Sequence, residues 1–442
     1  MTAVAVPAVA PAATTFVIRG AGYGHGVGMS QYGTYGFAKR GRAYDEILAH
    51  YYTGTELSKL ASDPKVRVLL QQGSSFSFSG ATRASGRRLS AATTYHAVRT
   101  GFGRVQLKSP AGRVLKTFDT PMRVTGPSGV VLNGTSENGI TGGRYRGVML
   151  FQDTAVGFQA VNSVGLEDYV SGVVSAESPA SWPLEALKAQ AVAARTYAIT
   201  TGGGTNFDQY ADTRSQMYVG VGGEYESTEA AVDATRGEIV TYDGEPVVTY
   251  FFSTSGGRTE NVENSFIGSD PKPWLKSVED PYDTESPKHR WGPLRYSMSA
   301  AAAKLSGYVK GTFRGISVVQ RGESPRIVYA DVVGTGGRTR VTGPTLRARF
   351  GLDDTWATFN VISTRGTKRS TARAAGAGRS LRGHVGWVDR PTIVTVQRRG
   401  ARGWKPLFEL ATDRRGRYRV GDLDRGRYRI RWRGTAGPVV GL

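Results

Sequence analysis

Three stretches hold residues whose types and spacing could do chemistry. The first, Leu166–Thr200 (LEDYVSGVVSAESPASWPLEALKAQAVAARTYAIT), sets Glu177 among Val173, Val174, Ala176, Pro179 and Trp182. A carboxyl group in apolar surroundings has its charged form disfavoured, so its pKa rises towards that of a working general acid. Lys188 and Arg195 follow, seven residues apart. On a helix that is about two turns, which puts both cations on one face roughly 10 Å apart. The second stretch, Tyr23–Gly33 (YGHGVGMSQYG), alternates glycine with other residues and offers His25, Ser30 and Gln31 as polar tips beside closely approaching backbone. In the third, Tyr250–Glu260 (YFFSTSGGRTE), an aromatic strand end enters a loop carrying Ser253 and Ser255. Hydroxyls and backbone donors beside aromatics suit a sugar. Each stretch also has a plainer reading: a helix-terminus carboxylate with surface ion pairs, a tight structural loop, and a β-turn.

Other chemistries are excluded by composition. The chain has no cysteine, which removes disulfides, thiolate-bound zinc, iron–sulfur clusters and thiol catalysis. Its five histidines, His25, His50, His96, His289 and His384, include no i,i+4 pair, so neither a metal nor a cofactor is expected. No G-x-S-x-G elbow, P-loop or H-E-x-x-H occurs.

The elements that must position these residues read as an α+β fold, a β-rich body with one long central helix, followed by a small all-β C-terminal domain. The helix is Pro183–Thr200, with Ser181 as N-cap, Pro183 in the first turn, Gly202–Gly204 as its stop, and a core stripe of Leu184, Leu187, Ala191, Ala194 and Ala198. Ala43–Tyr52 and Ser227–Thr235 are further helices. Strands are expected at Thr15–Arg19, Val66–Leu70, Val105–Leu107, Val114–Phe118, Val148–Phe151, Gly157–Asn162, Glu238–Tyr242, Val247–Phe252, Ile327–Val333 and Phe359–Ile362, with Gly20–Gly36 a glycine-dense loop.

Composition shifts mark the domains. Residues 1–15 (MTAVAVPAVAPAATT) resemble the end of an export signal, residues 16–362 form the body with an inserted β subdomain near 66–165, 363–380 is a linker, and 381–442 is a basic β module. No apolar run approaches the ~18 residues of a membrane-spanning helix. From Ser363 onward there are 20 Lys/Arg against 5 Asp/Glu, so the tail carries most of the formal charge of +21. In the last strand Arg427, Arg429, Arg431 and Arg433 alternate with Tyr428, Ile430 and Trp432, and Arg417 and Arg419 flank Tyr418 on an expected neighbouring strand. Such rows fit either an anionic polymer of the cell wall or a solvated face. Nucleic acid is not the expected partner, because no aromatic–basic motif accompanies the charge.

Together, Leu166–Tyr197, Asp212–Tyr218 (DTRSQMY), Phe252–Glu260, Thr342–Leu352 (TGPTLRARFGL) and Tyr23–Gly33 resemble the SpoIID/LytB family, the stage II sporulation protein D group of peptidoglycan enzymes and amidase enhancers. The resemblance implies a secreted, wall-located lytic transglycosylase acting on peptide-free glycan strands; the alternative is a non-catalytic enhancer of a wall amidase. It maps the catalytic glutamate of an E-x-P motif onto Glu177, and the helix lysine and arginine onto Lys188 and Arg195. His25, Gln31, Ser253 and Ser255 would then line the substrate groove. Two departures stand out. Cysteine zinc ligands described in some relatives are missing, and the G-x-G-H-G-V-G-M-S-Q segment precedes the T-G-P-T-L-R-A-R-F-G-L segment instead of following it. This order looks like a circular permutation and predicts that Thr15–Arg19 lies beside Phe359–Ile362.

Overall fold

The computed structural model describes residues 13–202, 204–367, 379–386 and 391–442. Most of the proposed signal remnant and most of the proposed linker (368–378) lie outside them. The chain divides into two compact units, one made of Val27–Val262 and Asp270–Glu285, the other of Met1–Gly26, Glu263–Ser269 and Ser286–Leu442. The division falls inside the glycine-rich segment, between Gly26 and Val27.

The first unit holds the carboxylate. Its larger sheets are a six-stranded one from Ser75–Ser79, Tyr95–Gly101, Arg104–Lys108, Val114–Asp119, Val130–Thr135 and Thr141–Tyr145, and a seven-stranded one that includes Lys65–Gly73, Val148–Thr154 and Gly157–Gly165. Inward-facing Phe76, Phe78, Phe151 and Phe158 share one apolar cluster with Val170, Val173, Leu187, Ala191 and Ala194 of the helices. The β region near 66–165 therefore shares its core with the helices that follow it.

Among the described residues this unit holds five α-helices of eight or more residues: α1 (Gln31–Ala38), α2 (Tyr44–Tyr51), α3 (Leu166–Glu177), α4 (Leu184–Thr200) and α5 (Glu226–Ala234). Two of them correct the sequence reading. The glycine-dense loop contains α1, whose N-cap Ser30 accepts the Gly33 N–H at 3.2 Å. The chain ahead of the long helix is itself helical, and its buried Leu166, Tyr169, Val170, Val173 and Val174 follow the 3.6-residue period. The N-cap of α4 is Pro183, not Ser181, and its carbonyl accepts the Ala186 N–H at 2.9 Å. Proline suits that boundary because the missing N–H would have no partner there. Leu184 is 44% exposed and so lies off the core stripe. The expected strand Val247–Phe252 shrinks to Phe251–Phe252, which pairs in parallel with Met29–Ser30.

In the second unit, Ala13–Gly20 runs antiparallel to both Trp291–Ser297 and Ala357–Thr367. Its register sets Thr15 opposite Ile362 and Ile18 opposite Phe359, as the permuted order predicts. Ser363–Thr367 is not linker; it continues the Ala357–Thr367 strand and pairs with Arg379–Val385, which in turn pairs with Arg417–Leu423. The C-terminal residues thus extend the same sheet, while Arg427–Trp432 belongs to a different one. The two arginine rows are accordingly not on neighbouring strands.

One buried ion pair clamps α3 to α4. Arg195, fully buried, donates Nε to Glu167 Oε1 at 2.9 Å and Nη2 to Glu167 Oε2 at 2.8 Å. Its Nη1 reaches the Glu238 carbonyl at 3.1 Å, and Glu167 also accepts the Gly237 N–H at 3.0 Å. Breaking such a pair strands a buried charge, which costs about 3–5 kcal/mol. We expect Arg195→Ala to lose stability on that scale in chemical denaturation, and Arg195→Met with Glu167→Leu to recover most of it. A loss of under about 1 kcal/mol for the single variant would show that the clamp is dispensable.

Candidate active site

Glu177 is the last residue of α3 and extends the stripe that buries Val170, Val173 and Val174. The helix period therefore turns its carboxyl inward, to a half-buried position. Oε1 accepts the Met217 backbone N–H at 2.8 Å, and Oε2 accepts the Gln31 amide at 3.2 Å. Burial pushes the Glu177 carboxyl above the ordinary glutamate range, while these two donors, Met217 first, pull it back. The negative end of α3 acts in the same direction as burial, since a helix C-terminus disfavours an anion. The net direction is upward, so the neutral form is favoured more than in an exposed glutamate.

The surroundings come from four separate segments of one unit. Gln31 opens α1, and its amide also lies 3.5 Å from Gln190 Oε1 of α4. The hydroxyl of Ser178, next to Glu177, reaches the same Gln190 oxygen at 3.5 Å. Met217 belongs to the DTRSQMY segment, where Gln216 donates to the Ala194 carbonyl at 3.2 Å and so anchors the loop on α4. The N–H of Tyr32 donates to the Ser253 carbonyl at 2.9 Å, extending the short parallel pairing between the glycine-rich and YFFSTS segments.

Beside Gln31 stands an aromatic group that the sequence reading missed. The Tyr32 and Tyr35 rings lie 5.2 and 4.9 Å from Trp182, which sits in the link between α3 and α4. All three are half-buried and present ring surface of the kind that stacks on sugars. A cavity of about 540 Å³ is lined by Ser175 and Ala176 with Arg144, Val221 and Tyr225; Glu177 does not line it.

The other expected site residues lie elsewhere. Lys188 Nζ pairs with Glu185 at 2.7 Å and stands 5.5 Å over the Tyr44 ring, joining α4 to α2. Arg195 is committed to Glu167, so neither cation acts on the Glu177 carboxyl. Ser255 is fully buried, donating to Asp283 at 3.0 Å and accepting the Gly257 N–H at 2.9 Å, so it holds a turn and does not face a groove. The Ser253 hydroxyl pairs with Thr254 at 3.1 Å and stays half-buried beside Tyr32. His25 belongs to the other unit, where its carbonyl accepts from Ser265 and its ring lies 5.2 Å from Phe266. Of the expected set, Glu177 and Gln31 are brought together. Among the described residues no group of three or more His, Asp or Glu could hold a metal ion.

Beneath α1 lies a buried acid. A Cβ on Gly33 would come within 2.0 Å of the Tyr51 hydroxyl and 2.2 Å of Asp280 Oδ2, so only glycine lets α1 settle there. Asp280 is fully buried, with the hydroxyls of Ser255, Ser30 and Tyr51 around its carboxyl. Burial, and secondarily the nearby Asp283, push its carboxyl up to about 6.

Residues 154–242 match the SpoIID family model, described as "Stage II sporulation protein". The chain is 34% identical over 240 residues to the stage II sporulation protein D of Bacillus subtilis, an alignment covering 50% of this chain and 67% of that protein. It is 31% identical over 237 residues to the Bacillus amyloliquefaciens protein of the same name, with 50% and 66% covered. It is also 39% identical over 122 residues to the amidase enhancer of Bacillus subtilis, covering 28% of this chain and 16% of that protein.

The Asp280 geometry generates a pH prediction. The folded carboxyl keeps its proton up to about pH 6, whereas an unfolded aspartate releases it near 3.8. Between those values the folded state binds more protons, so this group makes stability fall as pH rises, by at most about 3 kcal/mol in all. Asp280→Asn should remove that slope and be the more stable form at pH 8 in urea titrations. Parallel pH–stability curves for the two proteins would refute it.

Proposed function

The chain belongs to the stage II sporulation protein D family, and from that premise we propose that it works on the bacterial cell wall as a lytic transglycosylase. Its substrate is a glycan strand, and Glu177 is the single acid and base. The observation that carries this reading is the half-buried carboxyl at the end of α3, raised by burial and touched by two hydrogen-bond donors.

Glycosidases that bring in water or an enzyme nucleophile use two carboxyl groups. One suffices when the sugar attacks itself. The Glu177 carboxyl gives its proton to the glycosidic oxygen as the bond from C1 to that oxygen breaks. The resulting carboxylate then takes the proton of the C6 hydroxyl as that oxygen bonds to C1, closing a 1,6-anhydro ring and restoring the acid. The first step needs the neutral form, which burial favours, and the second needs an oxygen able to accept, which Met217 and Gln31 keep aligned. Tyr32, Tyr35 and Trp182 would hold sugar rings alongside.

The likeness to an amidase enhancer favours a second reading, in which the chain grips glycan for a partner wall amidase without cutting it. Among the described residues no helix is long and apolar enough to cross a membrane. Both readings place the protein in the wall.

Peptide-free glycan strands incubated with purified protein should yield anhydro-ended fragments by mass spectrometry. Glu177→Gln should lower that yield roughly 10²–10⁴-fold, the usual worth of a general acid. Equal yields would remove Glu177 from the chemistry, and no fragments from either protein would favour the enhancer. Because the acid must be protonated, the rate should fall on the alkaline side of a limb lying above the ordinary glutamate range. Gln31→Leu removes a hydrogen bond that favours the anion and should move that limb to higher pH, whereas an unmoved limb would free Gln31 of this role.

A further inference from the structure

The arginines of the C-terminal region that matter are not the row on the Arg427–Trp432 strand. In the sheet built on Ala13–Gly20, Arg365 pairs directly across from Arg382, and Arg382 directly across from Arg419. One step along, Ser363 faces His384 and His384 faces Arg417. Cross-strand partners, and residues two apart on a strand, share a face. Six side chains therefore form a grid of two rows on three adjacent strands. Its opposite face is core, with Ile362, Leu381, Val385 and Tyr418 buried together.

Like charges directly opposite on neighbouring strands destabilise a sheet unless something answers them. Within the protein little does. Asp413 pairs with Arg417 at 2.8 Å, but Arg365, Arg382 and Arg419 have no carboxylate partner among the described residues. Arg365 is half-buried and its Nε is shielded from solvent without a hydrogen-bond partner. Exposed Arg314 of the Phe313–Arg321 strand adds to the field, lowering His384 together with burial, which is the larger cause. The six grid residues, with Arg415 of the turn that precedes the Arg417–Leu423 strand, line a shallow cavity of about 490 Å³.

We propose that this grid binds a linear phosphodiester polymer that lacks stacking bases, such as a polyol phosphate. Guanidinium groups match phosphate oxygens in pairs, and a row repeating at the ~4.8 Å strand spacing presents donors to successive anionic groups. The cavity is larger than one phosphate needs, which favours a chain over a single ion. Nucleic acid fits less well, because single-strand binders offer exposed aromatic surface. No Phe or Trp is among the residues that line the cavity; its one phenol, Tyr418, is buried with its hydroxyl on the Ser363 carbonyl at 2.8 Å, which leaves the His384 imidazole as its exposed ring. The site is independent of Glu177 and of any glycan cleavage.

The test is binding of the full chain to a synthetic poly(glycerol phosphate) oligomer across a salt series. Arg382→Gln with Arg419→Gln, both on exposed positions, should weaken binding at least tenfold and reduce the slope of log K against log salt by about one per arginine removed. Arg425→Gln with Arg427→Gln removes equal charge outside the grid and should leave both unchanged. Equal effects from the two pairs would overturn the site in favour of net charge. Poly-glutamate bound as tightly as the phosphate polymer would overturn the phosphodiester class, and single-stranded DNA bound more tightly would assign the grid to nucleic acid instead. Thermal unfolding of each variant confirms that the comparison is made between folded proteins.

Discussion

The Arg195–Glu167 pair is the constraint on which the arrangement around Glu177 depends. The two residues lie 28 positions apart and are almost wholly sealed from water. A charge in such a place is tolerable only when its hydrogen bonds are all made, and here the guanidinium reaches two carboxylate oxygens and two carbonyls. That requirement fixes α3 against α4 in one register. With the register fixed, the end of α3 meets Gln190, and the loop anchored by Gln216 brings the Met217 N–H to the carboxyl. A cation with the spacing of a substrate ligand is instead what makes the site rigid.

Around that frame, small residues do what large ones could not. A Cβ at Gly28 would fall 2.1 Å from the Tyr250 carbonyl oxygen, which already accepts the Met29 N–H at 3.0 Å. Close approach of this kind lets the glycine-rich segment lie against the YFFSTS strand and delivers Gln31 to the carboxylate. The alternating glycines Gly22, Gly24, Gly26 and Gly28 all take positive φ, with close backbone approach added at Gly28, and the polar chemistry comes from the residues immediately after them.

Much of this was legible in the sequence, and the failures have physical causes. Glu177 could be picked out because its neighbours are apolar, and the long helix because its alanine- and leucine-rich stripe is periodic. The period of α3 was equally present in Leu166, Tyr169, Val170, Val173 and Val174, but it runs directly on from a strand and is diluted by Ser171, Gly172 and Ser175. Glu167 as the partner of Arg195 could not be read, since helix-face arguments reach only neighbouring turns of one helix. Nor could the meeting of Tyr35 with Trp182, which is a matter of tertiary packing. Ser363–Thr367 passed for linker because it lacks apolar side chains. In the sheet, Thr364 is satisfied by the Tyr418 hydroxyl at 2.8 Å and Ser363 by Thr14 at 3.1 Å. Polar composition is compatible with a strand when the partners of its hydroxyls are supplied by distant chain.

The strand Ala13–Gly20 is flanked by partners that come very late in the chain, with Thr14 and Ser363 separated by 349 positions. At equilibrium so wide a closure costs little extra, about 0.6 kcal/mol per doubling of length. In time it costs more. This inner strand of the sheet is made early and must wait, with Phe16 and Ile18 uncovered, until translation has passed Trp291–Ser297 and then Ala357–Thr367 before both of its neighbours exist. Assembly of the sheet is thus necessarily a late event in the life of each nascent molecule, and a chain delivered across a membrane before folding would escape the hazard of that waiting period.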